Sequence, residues 1–120
     1  MKNYKLLVPV VLIALFLCSI YMLSSTKVND QNAYEAKLEE ARDYYARGIL
    51  VDALKSYQEA LSMQDSVELW QEIGNVYLES ELLYEAEEWG EDMASAHPRD
   101  VRSYEYQIRV YEQAQDYMAF

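Results

Sequence analysis

From Ala33 onward the apolar residues return every three or four positions, as on one face of a helix, and no stretch alternates as a half-buried strand would. The pattern breaks at "ARGIL", where Gly48 can end a helix, and at "MQDSVE", where Asp65 and Glu68 have capping-box spacing. It breaks again at "LESELL" and at "HPRDV". Five helices are predicted, over 33–47, 51–63, 67–79, 83–96 and from 101 to the end, which makes the fold all-α. The third carries a glycine in its middle, Gly74 in "LWQEIGNVYLES", at a cost of roughly 1 kcal/mol relative to alanine. Such a glycine suggests close approach by another element.

Ahead of these helices runs an uncharged segment from Leu6 to Leu23. As a helix it would be roughly 27 Å long, close to the hydrocarbon thickness of a bilayer. It predicts a transmembrane anchor, with Pro9 near its start where a missing amide matters least. A cleaved secretory signal shares this layout, but the run is longer than a usual signal core and "SSTKVND" offers no small-x-small site. Cys18 reads as an apolar residue facing lipid, because Leu15 and Leu17 do not suit lipoprotein processing. Lys2 and Lys5 precede the span and Lys27 alone follows it closely, so the positive-inside bias keeps 1–5 in the cytoplasm. The expected order is anchor 6–23, polar tether 24–32 and an extracytoplasmic domain 33–120. The expectation is a single-pass protein of the cell membrane, whose outer part has no cysteine and so no disulfide.

All 21 acidic residues lie after the span with eight of the ten bases, and the whole chain has a net charge of −11. Such a field argues against nucleic acid and anionic headgroups and favours a basic or apolar protein partner. A merely soluble, self-repelling surface is the plainer alternative.

Laid against itself, the chain aligns "ARDYYARGILVDALKSYQEAL" with "GNVYLESELLYEAEEWGEDMA" at a shift of 33 residues, Ala41 falling on Gly74 and Ala53 on Ala86. The second unit places Trp70, Ile73, Gly74, Tyr77, Ala86 and Pro98 at the spacing of the tetratricopeptide repeat, which it resembles; Gly90 stands where that family has a bulky aromatic. The first unit keeps Ala41, Tyr44, Ala53, Tyr57 and Ala60, but has Lys37 and Glu40 at large apolar places. A third, incomplete unit starts with Tyr104, Ile108 and Tyr111. The resemblance, to bacterial-type membrane-anchored members, implies about two and a half helix-turn-helix repeats in a short right-handed solenoid. It places Gly74 and Ala41 where the first helix of each pair crosses its partner, with Ala53 and Ala86 opposite.

Candidate chemistry is sparse. His97 stands alone in a turn beside Pro98, the glycines are far apart, and the acids of "YEAEEWGED" read as a solvated face. Neither a metal nor a cofactor nor an enzymatic activity is expected. The resemblance instead implies a membrane-anchored scaffold that binds a protein or peptide in a groove. Its lining would be Leu38, Arg42, Tyr45, Gln71, Asn75, Leu78, Arg102, Tyr106 and Arg109. The family's carboxylate clamp is rejected, since of Leu38, Arg42, Glu72, Arg102 and Tyr106 only Arg102 is of the right type. Tyr44, Tyr57, Tyr77, Tyr104 and Tyr111 are expected in the core, and Tyr45 and Tyr106 on the binding surface. Two further expectations are self-association through the unpaired last helix, with Ile108, Val110, Tyr111, Tyr117, Met118 and Phe120, and the alternative that the chain is the anchor and stalk of a longer protein.

Overall fold

A computed structural model describes residues 4–118, the side chains of 4–7 and 23–28 lying outside that description. Among the described residues the chain is all-α: α1 (Tyr4–Ala46), α2 (Leu50–Met63), α3 (Val67–Glu79), α4 (Leu83–Ala96) and α5 (Val101–Met118). It divides into two units, one ending at Ala36 and one starting at Lys37. In the first unit the stretch read as a polar tether, 24–32, is helical and belongs to α1. Among the described residues no helix is long and apolar enough to cross a membrane. The run read as an anchor extends on both sides beyond the side chains described, which cover Val8–Met22 there. Those side chains are exposed on every face of the helix, including Val10, Ile13, Phe16 and Leu17.

In the second unit the two helix pairs are joined by the same turn. Gly48, at φ 77°, ends α1: its amide donates to the Tyr45 carbonyl and that of Ile49 to the Tyr44 carbonyl. One repeat later Glu81, at φ 60°, does the same, its amide bonding Leu78 and that of Leu82 bonding Tyr77. These paired bonds are the Schellman motif, which needs a left-handed residue. Neither α2 nor α4 has a side-chain cap, since each rises directly from that turn. At α3 the cap is Ser66, whose hydroxyl accepts from the Leu69 amide, and not Asp65 as the capping-box spacing predicts. Asp100 opens α5 by accepting from the Arg102 amide at 3.0 Å.

Ala41, Ala53, Ala60 and Ala86 are wholly buried, and Tyr57, Ile73, Tyr77 and Met93 are buried as well. Trp70 stacks on Trp89 with ring centroids 4.3 Å apart, and the Trp89 indole donates to the Trp70 carbonyl. Tyr44 is half-buried, with the Arg47 guanidinium 5.1 Å from its ring centroid.

The close approach at Gly74 differs from the predicted helix crossing. A β-carbon there would sit 2.5 Å from Cε2 of Tyr106, so what comes close is an aromatic ring from α5. Gly90 of α4 walls the ring's other edge, 3.3 Å from Cδ1 by the same measure. The ring of α5 thus fills the space between the glycines of α3 and α4. Tyr106 is 1 % exposed, so it belongs to the core and not to a binding surface.

The third unit is set one residue from the expected register. Tyr104 and Tyr111, expected in the core, are exposed, as is Ile108, whereas Ser103, Tyr106 and Val110 are buried. These three stand 33 residues after Trp70, Ile73 and Tyr77, so the spacing of the first two units continues into α5. The apolar pattern of α5 is ambiguous because apolar residues occupy two of its faces, and packing on α3 and α4 selects one.

Candidate partner-binding groove

Where α1, α2 and α3 meet, an open cavity of about 270 Å³ is lined by Arg42, Tyr45, Tyr57, Glu72, Asn75, Val76 and Glu79. Arg42 and Tyr45 lie one turn apart on α1, and Glu72, Asn75, Val76 and Glu79 occupy one side of α3. The arrangement therefore needs only two helices in register, with Tyr57 of α2 closing the base.

The polar groups of this cavity are bonded to one another. The Arg42 guanidinium grips Glu72 with two bonds, Nε to Oε1 at 2.6 Å and the second terminal nitrogen to Oε2 at 2.9 Å. The Tyr57 hydroxyl donates to the same carboxylate at 3.0 Å, and the Tyr45 hydroxyl donates to Glu79. Hydrogen bonding to Arg42 holds the Glu72 carboxyl below its ordinary range despite its partial burial. The bond to Glu79 pushes the Tyr45 phenol up to about 12, and burial raises Tyr57. The cavity sets the acidic side chains of Glu72 and Glu79 against the single guanidinium of Arg42, which makes its lining acidic. With Arg42 and Tyr57 both donating to Oε1 of Glu72, its Oε2, which accepts from Arg42, is the oxygen with acceptor capacity left for a second cation.

Of the nine residues expected in the groove, Arg42, Tyr45 and Asn75 line this cavity. Leu38 and Gln71 are half-buried and stand outside it, and Leu78 is buried under α5, its carbonyl accepting from Gln113 at 2.9 Å. Leu78 thus offers no apolar contact to a ligand. Arg102 and Arg109 turn toward α3: Arg102 bonds Asp100 and Glu68, and Arg109 donates to the Asn75 side-chain oxygen at 2.9 Å. With Tyr106 buried, the α5 residues expected in the groove instead hold α5 on α3. The spacing of α1 and α3 leads to Glu72 and Glu79 only once the facing helices are known, and Tyr57 carries a core signal alone.

His97 is more than a turn residue. Its Nε2 lies 2.8 Å from Asp65 Oδ1, which also accepts from the Trp70 indole at 2.8 Å. This joins the turn before α3 to the turn after α4, and hydrogen bonding to His97 lowers the Asp65 carboxyl. Pro98 stands in the latter turn, its carbonyl accepting from the Tyr104 hydroxyl. Among the described residues no group of three acidic, histidine or cysteine side chains could hold a metal ion. No protein-family model matches the chain, and no curated protein matches it either.

Proposed function

We propose that this chain is a membrane-anchored interaction module of tetratricopeptide-like architecture, about two and a half repeats in a right-handed solenoid, which holds a basic segment of another protein in the cavity between α1, α2 and α3. The observation that carries the reading is the pairing in that cavity: Glu72 and Glu79 face it from one helix, and Arg42 and Tyr45 answer from the other. An entering Lys or Arg side chain can bind Oε2 of Glu72 and the side chain of Glu79, while the Asn75 amide donates to a backbone carbonyl and Val76 offers a short apolar wall. The repeated turns at Gly48 and Glu81 and the 33-residue spacing of buried positions support the architecture.

The anchor rests on α1. A helix apolar on all faces needs an apolar environment on all faces, and Val8–Met22 exposes such side chains right around. A bilayer supplies that environment, and Lys2 and Lys5 orient the span with its N-terminus inside. Protease added to intact cells should then digest the second unit, and complete protection would remove this topology.

Binding is tested with the full chain in detergent and two labelled peptides, one with lysines around a leucine and one with glutamates in their place. The lysine peptide should bind, and more weakly as salt rises. Asn75→Ala and Glu79→Gln should each weaken it by roughly three- to tenfold, equivalent to about 1 kcal/mol. Glu88→Ala, on an exposed face of α4, should not. Equal losses in all three variants, or binding strengthened by salt, would sink the assignment.

A further inference from the structure

We infer that α5 carries a second docking face, separate from the cavity, which accepts an amphipathic helix of a partner protein with an apolar seam and basic flanks. Val101, Tyr104, Ile108 and Tyr111 follow one another at spacings of three and four, so they form a single stripe along α5. All four are exposed, Ile108 by 56 % and Tyr111 by 57 %. The opposite face, with Ser103, Tyr106 and Val110, is the buried one.

The repeat spacing says what such a stripe is for. Thirty-three residues earlier on α3, Ile108 corresponds to Asn75, Tyr111 to Leu78 and Val101 to Glu68. Each of those α3 residues is engaged by α5: Glu68 by Arg102, Asn75 by Arg109, and Leu78 by Gln113. The stripe is therefore the surface by which one first helix receives the next, carried on a helix whose own outward side is apolar where that of α3 is mostly polar. At the position of Gly74, α5 has Gln107, whose side chain packs against Gly90. No ring can enter there, so the partner helix presents a small residue opposite Gln107.

Charge selects the partner. Glu105 and Glu112 border the stripe on one side, and Glu87 and Glu91 of α4 border Tyr111 on the other. The cations of α5 are turned away, Arg102 to Asp100 and Glu68 and Arg109 to Asn75. Among the described residues no cation pairs with these four glutamates. A second copy laid antiparallel on α5 would bring Glu105 against Glu112 of its neighbour, which like-charge repulsion disfavours. A helix with Lys or Arg at its flanks fits both borders.

The test uses the full chain in detergent and two synthetic amphipathic helices with the same leucine seam, one flanked by lysine and one by glutamate. The lysine helix should bind, and Ile108→Asp should weaken it at least about tenfold, the loss of one buried apolar anchor. Val51→Asp, on an exposed position of α2 outside both the cavity and the stripe, should leave it unchanged. Because Ile108 is exposed, its substitution tests the face without unfolding the protein; circular dichroism of Ile108→Asp should match wild type. Three results would overturn the proposal: equal binding of the glutamate helix, no loss in Ile108→Asp, or a peptide-free dimer that Ile108→Asp dissolves.

Discussion

The Tyr106 hydroxyl donates to the carbonyl oxygen of Gly74 at 3.0 Å, with the ring lying where any side chain at 74 would have to stand. A residue of the third unit is thereby seated inside the second. Burial pushes the Tyr106 phenol up, so it remains a donor throughout the physiological range. Gly74→Ala should displace the ring and cost about 1 to 3 kcal/mol. In Tyr106→Leu the same alanine should cost much less, a coupling that a double-mutant cycle read by chemical denaturation would measure. Additive losses would show that the ring and the glycine do not compete for one space.

The turn positions 48 and 81 give opposite predictions for one backbone conformation. At Gly48 no atom lies within 4 Å of an added β-carbon, so Gly48→Ala should lose only the left-handed preference, about 1 kcal/mol. Glu81 already bears that cost, and Glu81→Gly should stabilise by a similar amount less the bond from the Tyr117 hydroxyl. That bond is exposed, so thermal melts should still show a rise in Tm for Glu81→Gly and a fall for Gly48→Ala.

Glu72 ties stability to pH. Its folded pKa lies below the ordinary 4.5, chiefly through the Arg42 hydrogen bonds. The ionised form is favoured by folding, so this stability is fully present above the unfolded value and is lost as pH falls through the folded one. Glu72→Gln should therefore be less stable than wild type by about 1 to 2 kcal/mol above about pH 6, with the gap closing below about pH 4. Denaturant midpoints across that range measure it, and a gap independent of pH would assign the loss to packing.

Asp65 should show a smaller effect with an optical readout. Asp65→Asn weakens the bonds to His97 and to the Trp70 indole together, at a cost of about 1 kcal/mol for an exposed pair of bonds. Because Trp70 stacks on Trp89, its emission should shift to the red as the indole gains water. Asp52→Asn, on α2 and away from this cluster, should leave the emission unchanged.

Self-association through α5, expected from its apolar residues, has a narrower basis in the structure. Val110 is buried and the Tyr117 hydroxyl bonds Glu81, while Phe120 lies outside the described residues. The remaining stripe, centred on Ile108 and Tyr111, has glutamates on both borders. Raising salt should favour any dimer by screening that repulsion, and sedimentation in low and high salt would detect the change.

The helices of the second unit and their order were legible along the chain, because helical periodicity and turn residues are local signals. Gly74 announced that something comes close, and the 33-residue spacing announced two equivalent units. What fills the gap at Gly74 was not legible, since Tyr106 and Tyr104 are chemically equal and two residues apart. Only the docking of α5 on both α3 and α4 decides between them, by offering one ring a slot between two glycines. The same holds at the cavity: Arg42, Tyr45 and Asn75 follow from repeat position, whereas Glu72, Glu79 and Tyr57 enter it through pairing between different helices. Periodicity specifies which side of a helix is apolar, and tertiary packing alone specifies which neighbour that side meets.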